Sequence, residues 1–207
     1  MKKGIIFAGG EFSLPANFDD ILKETSCVVC ADSGFDNAAR LGIMPDVIIG
    51  DMDSVGKNLP DKVEQIKLNC EKDDTDTEAC INYLIDKGCK EITLFCALGG
   101  RKDHELANVM LTVCAAQNGV KLIIKSSDTE IFAVDGLATI SGETGDWLSL
   151  IPAMGDAEGV TLSGLKYPLK NACLKAGKTV GISNEFISDE ATVSVEKGIL
   201  IAIMTKR

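Results

Sequence analysis

The sequence predicts two domains in series, an α/β domain over residues 1–127 and an all-β domain over residues 128–207. In the first, short continuous apolar runs alternate with helical segments, the pattern of a mostly parallel sheet covered on both faces in a three-layer α/β architecture. Beyond Ser126 no amphipathic helix recurs. Short β-rich pieces are separated there by the turn signals Asp135-Gly136, Ser141-Gly142, Met154-Gly155-Asp156 and Lys197-Gly198. That spacing predicts an antiparallel β-sandwich.

Taken in order, Lys3–Ala8 reads as a strand, Asn17–Glu24 as a short helix and Cys27–Ala31 as a strand. Asp36–Leu41 reads as helical, Asp46–Gly50 as a strand, and Lys62–Leu68 and Glu78–Lys87 as helices. Glu91–Ala97 follows as a strand, His104–Gln117 as a helix and Lys121–Lys125 as a strand. The helix after Asp103 carries one apolar stripe at helical spacing, made of Leu106, Val109, Met110, Val113 and Cys114, with Gly119 as its stop. The predicted strands of the second domain are Glu130–Val134, Ala138–Ser141, Trp147–Ile151, Gly159–Leu162, Thr179–Ile182, Thr192–Val195 and Ile199–Met204.

Composition narrows the functional classes. The formal net charge of -10 argues against a nucleic-acid surface, which requires a basic face. No segment reaches the length of a membrane span. The apolar run at Ile5-Ile6-Phe7 stops at Gly9-Gly10, which suits a buried first strand better than a leader peptide. Most of the eight cysteines lie inside apolar runs, as reduced core thiols of a cytoplasmic protein do. Cys27 and Cys30 form a CxxC with no second pair and no histidine pair beside it, so core packing is the favoured reading. An acidic chain that binds an anion needs local cations, helix N-termini or a bridging metal.

The acids are unevenly spread. Asp51 and Asp53 leave the end of the buried strand Val47-Ile48-Ile49, and Asp73, Asp74 and Asp76 follow soon after. In an open α/β sheet, ligands bind at the carboxyl ends of strands. Crowded carboxylates repel one another or take up protons, and magnesium removes that cost while binding substrate phosphate oxygens. A simpler account stands beside this one: Thr75-x-x-Glu78 is a capping box, Asp76 suits the first turn of a helix, and Asp51 and Asp53 suit a turn.

A second constellation runs from Ala97 to Asn108. A strand ends, Gly99-Gly100 turns the chain, Arg101 and Lys102 follow, and a helix starts. Glycines admit a ligand close to the backbone, and an arginine at a helix N-terminus suits phosphate. Asp103 is alternatively the N-cap, and His104, the sole histidine, reads first as structural. Further glycine turns at Ala8-Gly9-Gly10 and Ala31-Asp32-Ser33-Gly34 match neither the dinucleotide fingerprint nor the P-loop.

Ala31-Asp32-Ser33-Gly34, Pro45–Ser54, Asp73-x-Thr75-Asp76, Gly99-Gly100-Arg101-x-Asp103-His104-x-x-Ala107-Asn108 and Gly181-Ile182-Ser183-Asn184-Glu185 occur in the order found in thiamine pyrophosphokinases, and the chain resembles that family over nearly its whole length. It departs at Ser33, where the family often has a second glycine. The resemblance implies transfer of a diphosphate group from ATP to the hydroxyl of thiamine, giving thiamine diphosphate and AMP, in a homodimer with active sites at the subunit interface. Carried onto this chain, it assigns magnesium to Asp51, Asp53, Asp73 and Asp76. ATP falls to Gly9, Gly10, Asp32, Ser33, Gly34, Asp73, Thr75, Gly99, Gly100, Arg101 and His104. Catalysis falls to Asp51, Asp53, Asp76, Arg101 and Asp103, and thiamine binding to Ser183, Asn184 and Glu185. Phe186 and Trp147 are the candidate aromatic platforms for the thiamine rings. Two other readings compete, a two-metal phosphohydrolase and a nucleotide-sensing module, and dependence of AMP release on thiamine separates them from the transferase.

Overall fold

The computed structural model describes residues 1–51, 63–68 and 74–207. Contacts divide the chain into two compact units, Met1–Leu111 with Val120–Ser127, and Thr112–Gly119 with Asp128–Arg207.

The first unit is built on six parallel strands: β1 (Lys3–Phe7), β2 (Cys27–Ala31), β3 (Val47–Gly50), β4 (Glu64–Lys67), β5 (Glu91–Phe95) and β6 (Lys121–Lys125). Their order is β4-β3-β2-β1-β5-β6. Ile5, Ile6, Phe7, Ile48, Ile92, Leu94, Phe95, Leu122 and Ile124 are all fully buried, which is why these strands read as unbroken apolar runs. Each such side chain is worth about 1.5–3 kcal/mol of burial. The helices are α1 (Phe18–Lys23), α2 (Gly34–Arg40), α3 (Asp76–Asp86) and α4 (Lys102–Gln117), the last belonging to this unit as far as Leu111. Phe18 of α1 meets Phe7 and Phe95 edge-on at 6.2 and 5.2 Å, anchoring that helix to the centre of the sheet. Thr75 caps α3 by accepting a hydrogen bond from the Glu78 N–H at 3.2 Å, as the capping-box spacing predicts.

Two readings of this half are corrected. The helix predicted over Lys62–Leu68 is strand β4, paired in parallel with β3 from Val47↔Glu64 to Gly50↔Lys67; Lys62 lies outside the described residues. Its side chains stay mostly exposed, so backbone pairing at the edge of the sheet among the described residues decides its form and no apolar period announces it. On α4, Val113 is buried, but Leu106 is 65% exposed and Met110 and Cys114 are exposed too. The helix buries Asn108, Thr112 and Ala115 instead, because Asn108 must reach a loop carbonyl described below.

The second unit is antiparallel throughout: β7 (Thr129–Val134), β8 (Leu137–Ser141), β9 (Trp147–Ser163), β10 (Leu169–Leu174), β11 (Asn184–Glu185), β12 (Glu190–Ser194) and β13 (Lys197–Thr205). One sheet joins β7, β13, β9 and β11; the other joins β8, β12, β9 and β10. The strands predicted separately at Trp147–Ile151 and Gly159–Leu162 are thus one strand of 17 residues, which passes from one sheet to the other. Met154 and Gly155, with φ of 58° and 121°, bend it, and the facing register shifts between Lys197 and Ile199. A turn signature that sits in a bulge therefore makes a sandwich corner rather than a chain reversal. The strand predicted at Thr179–Ile182 is a turn and bend, and the pairing with β9 falls to Asn184–Glu185.

Candidate active site

The strand order reverses between β1 and β5, and in a parallel α/β sheet the crevice outside the carboxyl ends at such a point is the ligand site. The loops leaving these two strands are joined along their length. Ala8 N–H donates to Phe95 O at 3.0 Å, Gly10 N–H to Cys96 O at 2.8 Å and Glu11 N–H to Leu98 O at 2.8 Å. A Cβ on Gly10 would stand 2.5 Å from Cys96 O and 2.6 Å from Leu98 O, so only glycine permits the joint. Two asparagines reach the same loops from the helices. Asn37 Nδ2 donates to Ala8 O at 2.9 Å and to Gly10 O at 3.2 Å, and Asn108 Nδ2 donates to Ala97 O at 3.0 Å.

Above these loops lies a cavity of about 440 Å³. Gly9, Gly10, Asp32, Ser33 and Thr75 line it, and so do Asp76, Gly100, Arg101 and His104. Four chain segments far apart in sequence are thus brought to one place by the sheet order. Gly34 starts α2 against Phe7, whose carbonyl oxygen a Cβ there would strike. Asp51 is half-buried directly after β3, whose last residue, Gly50, lies against Asp32. Asp53 and Asp73 fall outside the described residues. Sequence reasoning did not single out Glu105 or Asn37. Glu105 Oε1 accepts from Gly100 N–H at 2.8 Å and from Lys102 Nζ at 2.9 Å, so it reaches back over the glycine turn. A glutamate one turn into a helix that follows Gly-Gly was the signal for it.

Arg101 and Asp103 form a two-pronged pair, Nη2 to Oδ2 at 2.6 Å and Nε to Oδ1 at 3.2 Å, both largely exposed. Asp103 also accepts from His104 N–H at 3.0 Å. The Arg101 guanidinium is the main reason that the Asp103 carboxyl is pushed down to about 2. A carboxylate so stabilised is a weak proton acceptor at neutral pH. It lies in the first turn of α4, which begins at Lys102, rather than at the N-cap.

Asp32, Asp51 and Asp76 offer hard carboxylate oxygens at the strand ends and cavity wall, the donor type that suits magnesium rather than a soft metal. Among the described residues no three His, Cys, Asp or Glu side chains gather into a ligand set. The cysteines of the CxxC lie in β2, with burial the chief cause of raised thiol pKa values, to about 11 for Cys27 and about 12 for Cys30. All cysteines among the described residues are free thiols.

In the second unit, Ser183 is exposed and left-handed at φ 58°, its N–H donating to Ser149 Oγ at 3.0 Å. Asn184 is buried. Its Oδ1 accepts from Tyr167 N–H at 3.0 Å and its Nδ2 donates to Tyr167 O at 2.8 Å, so its amide works as a peptide stand-in between β11 and the bend that joins β9 to β10. Glu185 pairs with Lys166 at 3.0 Å. Directly across the ladder from Glu185 stands Trp147, 42% exposed, with the Arg207 guanidinium 5.3 Å from its ring centroid. Phe186, the other candidate platform, is fully buried and packs where a side chain on Gly142 would collide.

Comparison with known proteins decides the family. Residues 18–124 match the thiamin pyrophosphokinase catalytic domain and residues 137–200 match the thiamin pyrophosphokinase vitamin B1 binding domain. The chain belongs to the thiamine pyrophosphokinase family. The thiamine pyrophosphokinase of Bacillus subtilis is 32% identical over 210 residues, covering 98% of both chains. Its crystal structure superposes with a TM-score of 0.89 over all of both chains at 30% identity. The enzyme from Geobacillus thermodenitrificans gives 0.83 at 29% identity, covering 100% of this chain and 98% of that one. The α/β domain followed by a β-sandwich is the architecture of the family, and the chain is a thiamine diphosphokinase, forming thiamine diphosphate with ATP as co-substrate.

Proposed function

We propose that the chain moves the diphosphate of ATP as one unit onto the thiamine hydroxyl. The hydroxyl oxygen forms a bond to the β-phosphorus and gives up its proton to solvent, the bond from that phosphorus to the α,β-bridging oxygen breaks with its electron pair passing to that oxygen, and AMP leaves. The observation that carries this reading is the cavity at the carboxyl edge of the first unit's sheet, where glycine loops, Asp32, Asp76 and Arg101 converge. The glycine loops admit the nucleotide close to the backbone, and Gly34 and Gly99 shape those loops from behind. Ser33, Thr75 and His104 offer polar contacts at the cavity wall. Arg101 meets charge on the transferred group, and Asp103 holds the guanidinium in orientation.

Asp51, Asp53, Asp73 and Asp76 would hold magnesium, which when bound neutralises phosphate charge. Ser183, Asn184 and Glu185 bind the polar edge of thiamine, Asn184 by fixing the Tyr167 segment beside them. Trp147 serves as the ring platform, a role that its exposure favours over Phe186. We assign domain bounds of 1–127 and 128–207, a cytoplasmic location and a homodimer with shared active sites. Among the described residues no helix is long and apolar enough to cross a membrane.

The direct test is incubation with ATP, magnesium and thiamine. AMP and thiamine diphosphate in equal amounts are expected; ADP with thiamine monophosphate, or AMP release without thiamine, would overturn the reading. For the shared site, mixing Asp51→Asn with Asn184→Ala at a thiamine concentration too low for the Asn184→Ala protein to turn over alone should restore partial activity, and none after subunit exchange would place each site within one chain.

A further inference from the structure

We infer that Asn37 and Asn108 act together as positioning residues that hold the glycine loops of the nucleotide cavity in their binding shape before ATP arrives. The inference rests on the proposed nucleotide role of that cavity. Both asparagines are interior, 5% and 7% exposed, on helices where sequence reasoning would place a polar side chain at the surface. Asn37 lies on α2 and uses both amide hydrogens on the carbonyls of Ala8 and Gly10, one on each side of Gly9. Asn108 lies on α4 and takes the carbonyl of Ala97. The two loops are themselves joined by the Gly10-to-Cys96 and Glu11-to-Leu98 backbone bonds, so the two amides grip one connected body from two helices.

The side-chain chemistry is restrictive. Aspartate cannot donate, leucine of similar volume leaves the carbonyls without their donors, and glutamine carries one methylene too many for a packed site. The need for such a grip follows from the loop composition. Gly9-Gly10 and Gly99-Gly100 have the widest backbone freedom of any residues, and ordering them only on binding would subtract from nucleotide affinity. Fixed in advance, they leave that affinity intact. A residue acting this way tunes nucleotide binding and leaves thiamine recognition alone. A merely structural asparagine would reduce the folded fraction, lowering kcat with both KM values unmoved.

The test uses the full enzyme and the β,γ-imido analogue of ATP. Asn37→Leu should weaken analogue binding and raise the ATP KM by roughly tenfold to thirtyfold, the worth of two lost hydrogen bonds, with the thiamine KM within about twofold. Asn37→Ser, which retains one donor, should recover part of the loss. The Asn37→Leu, Asn108→Leu double variant should lose less than the product of the two single losses, because both side chains hold the same body. Unchanged analogue binding in folded Asn37→Leu would overturn the inference, and so would an equal rise in both KM values. Should the leucine variants not fold, amide exchange of the wild type decides. Gly10 and Glu11 N–H should be protected without nucleotide, and rapid exchange there would refute a preformed loop. Failure of the wild type to bind the analogue at all would instead sink the nucleotide reading itself.

Discussion

The two regions assigned to substrates are built on opposite plans. In the parallel sheet, functional groups arrive from the ends of β1, β2 and β5 and the start of α3, and the loops are joined by backbone hydrogen bonds. In the sandwich, Ser183, Asn184 and Glu185 are consecutive, the last two forming a strand of two residues, and the Asn184 amide and Glu185 tie that stretch to the Lys166-Tyr167 segment. The first plan spreads the work of holding a site over the whole topology. The second concentrates it in one short run of chain. A substitution in the first region should therefore alter chemistry with little change in fold, whereas one in the second should alter fold and recognition together.

The sharpest attempt to break that contrast is Asp51→Asn. AMP formation should fall by about a thousandfold, the scale of a lost electrostatic contributor to a transition state, with the unfolding midpoint nearly unmoved. Near-normal turnover would remove Asp51 from the metal role. Asn184→Ala comes next. It strands the N–H and C=O of Tyr167, so stability should drop by about 1–3 kcal/mol in denaturant titration, and the thiamine KM should rise more than that for ATP. Equal rises would dissolve the division between the regions. Trp147→Ala should raise the thiamine KM about threefold to tenfold through lost ring stacking, leaving the ATP KM alone.

The smallest effect is expected at Asp103. Its folded-state pKa is depressed, so any stability that it lends is present above the ordinary carboxylate range and is lost as pH falls toward about 2. Both partners are exposed, so that contribution is small. The acid limb of the pH–rate profile should therefore stay in place in Asp103→Asn. A displaced limb would mean that Asp103 does titrate in turnover.

Much of the fold was legible because burial on both faces writes itself as apolar runs. Val47-Ile48-Ile49 and Leu122-Ile123-Ile124 admit few other readings. Glu64-Gln65-Ile66-Lys67 was not legible, since an edge strand held by backbone pairing needs no side-chain pattern. Met154-Gly155-Asp156 misled because a bulge and a turn call for the same residues. At the site, the glycine loops and Arg101 declared themselves through unusual composition. Asn37 and Glu105 did not, because an asparagine or glutamate in a helix looks like surface until the loop that it grips is known.

Strand β9 has a consequence for how the sandwich comes apart. One continuous run of 17 residues belongs to both sheets, so neither sheet can open without disturbing a strand of the other. Partial unfolding, which in proteins proceeds by separable cooperative segments, has no seam to follow here. In native-state hydrogen exchange the paired amides from Trp147 to Ser163 should open at a single free energy, that of the whole β unit, and denaturant should release them together.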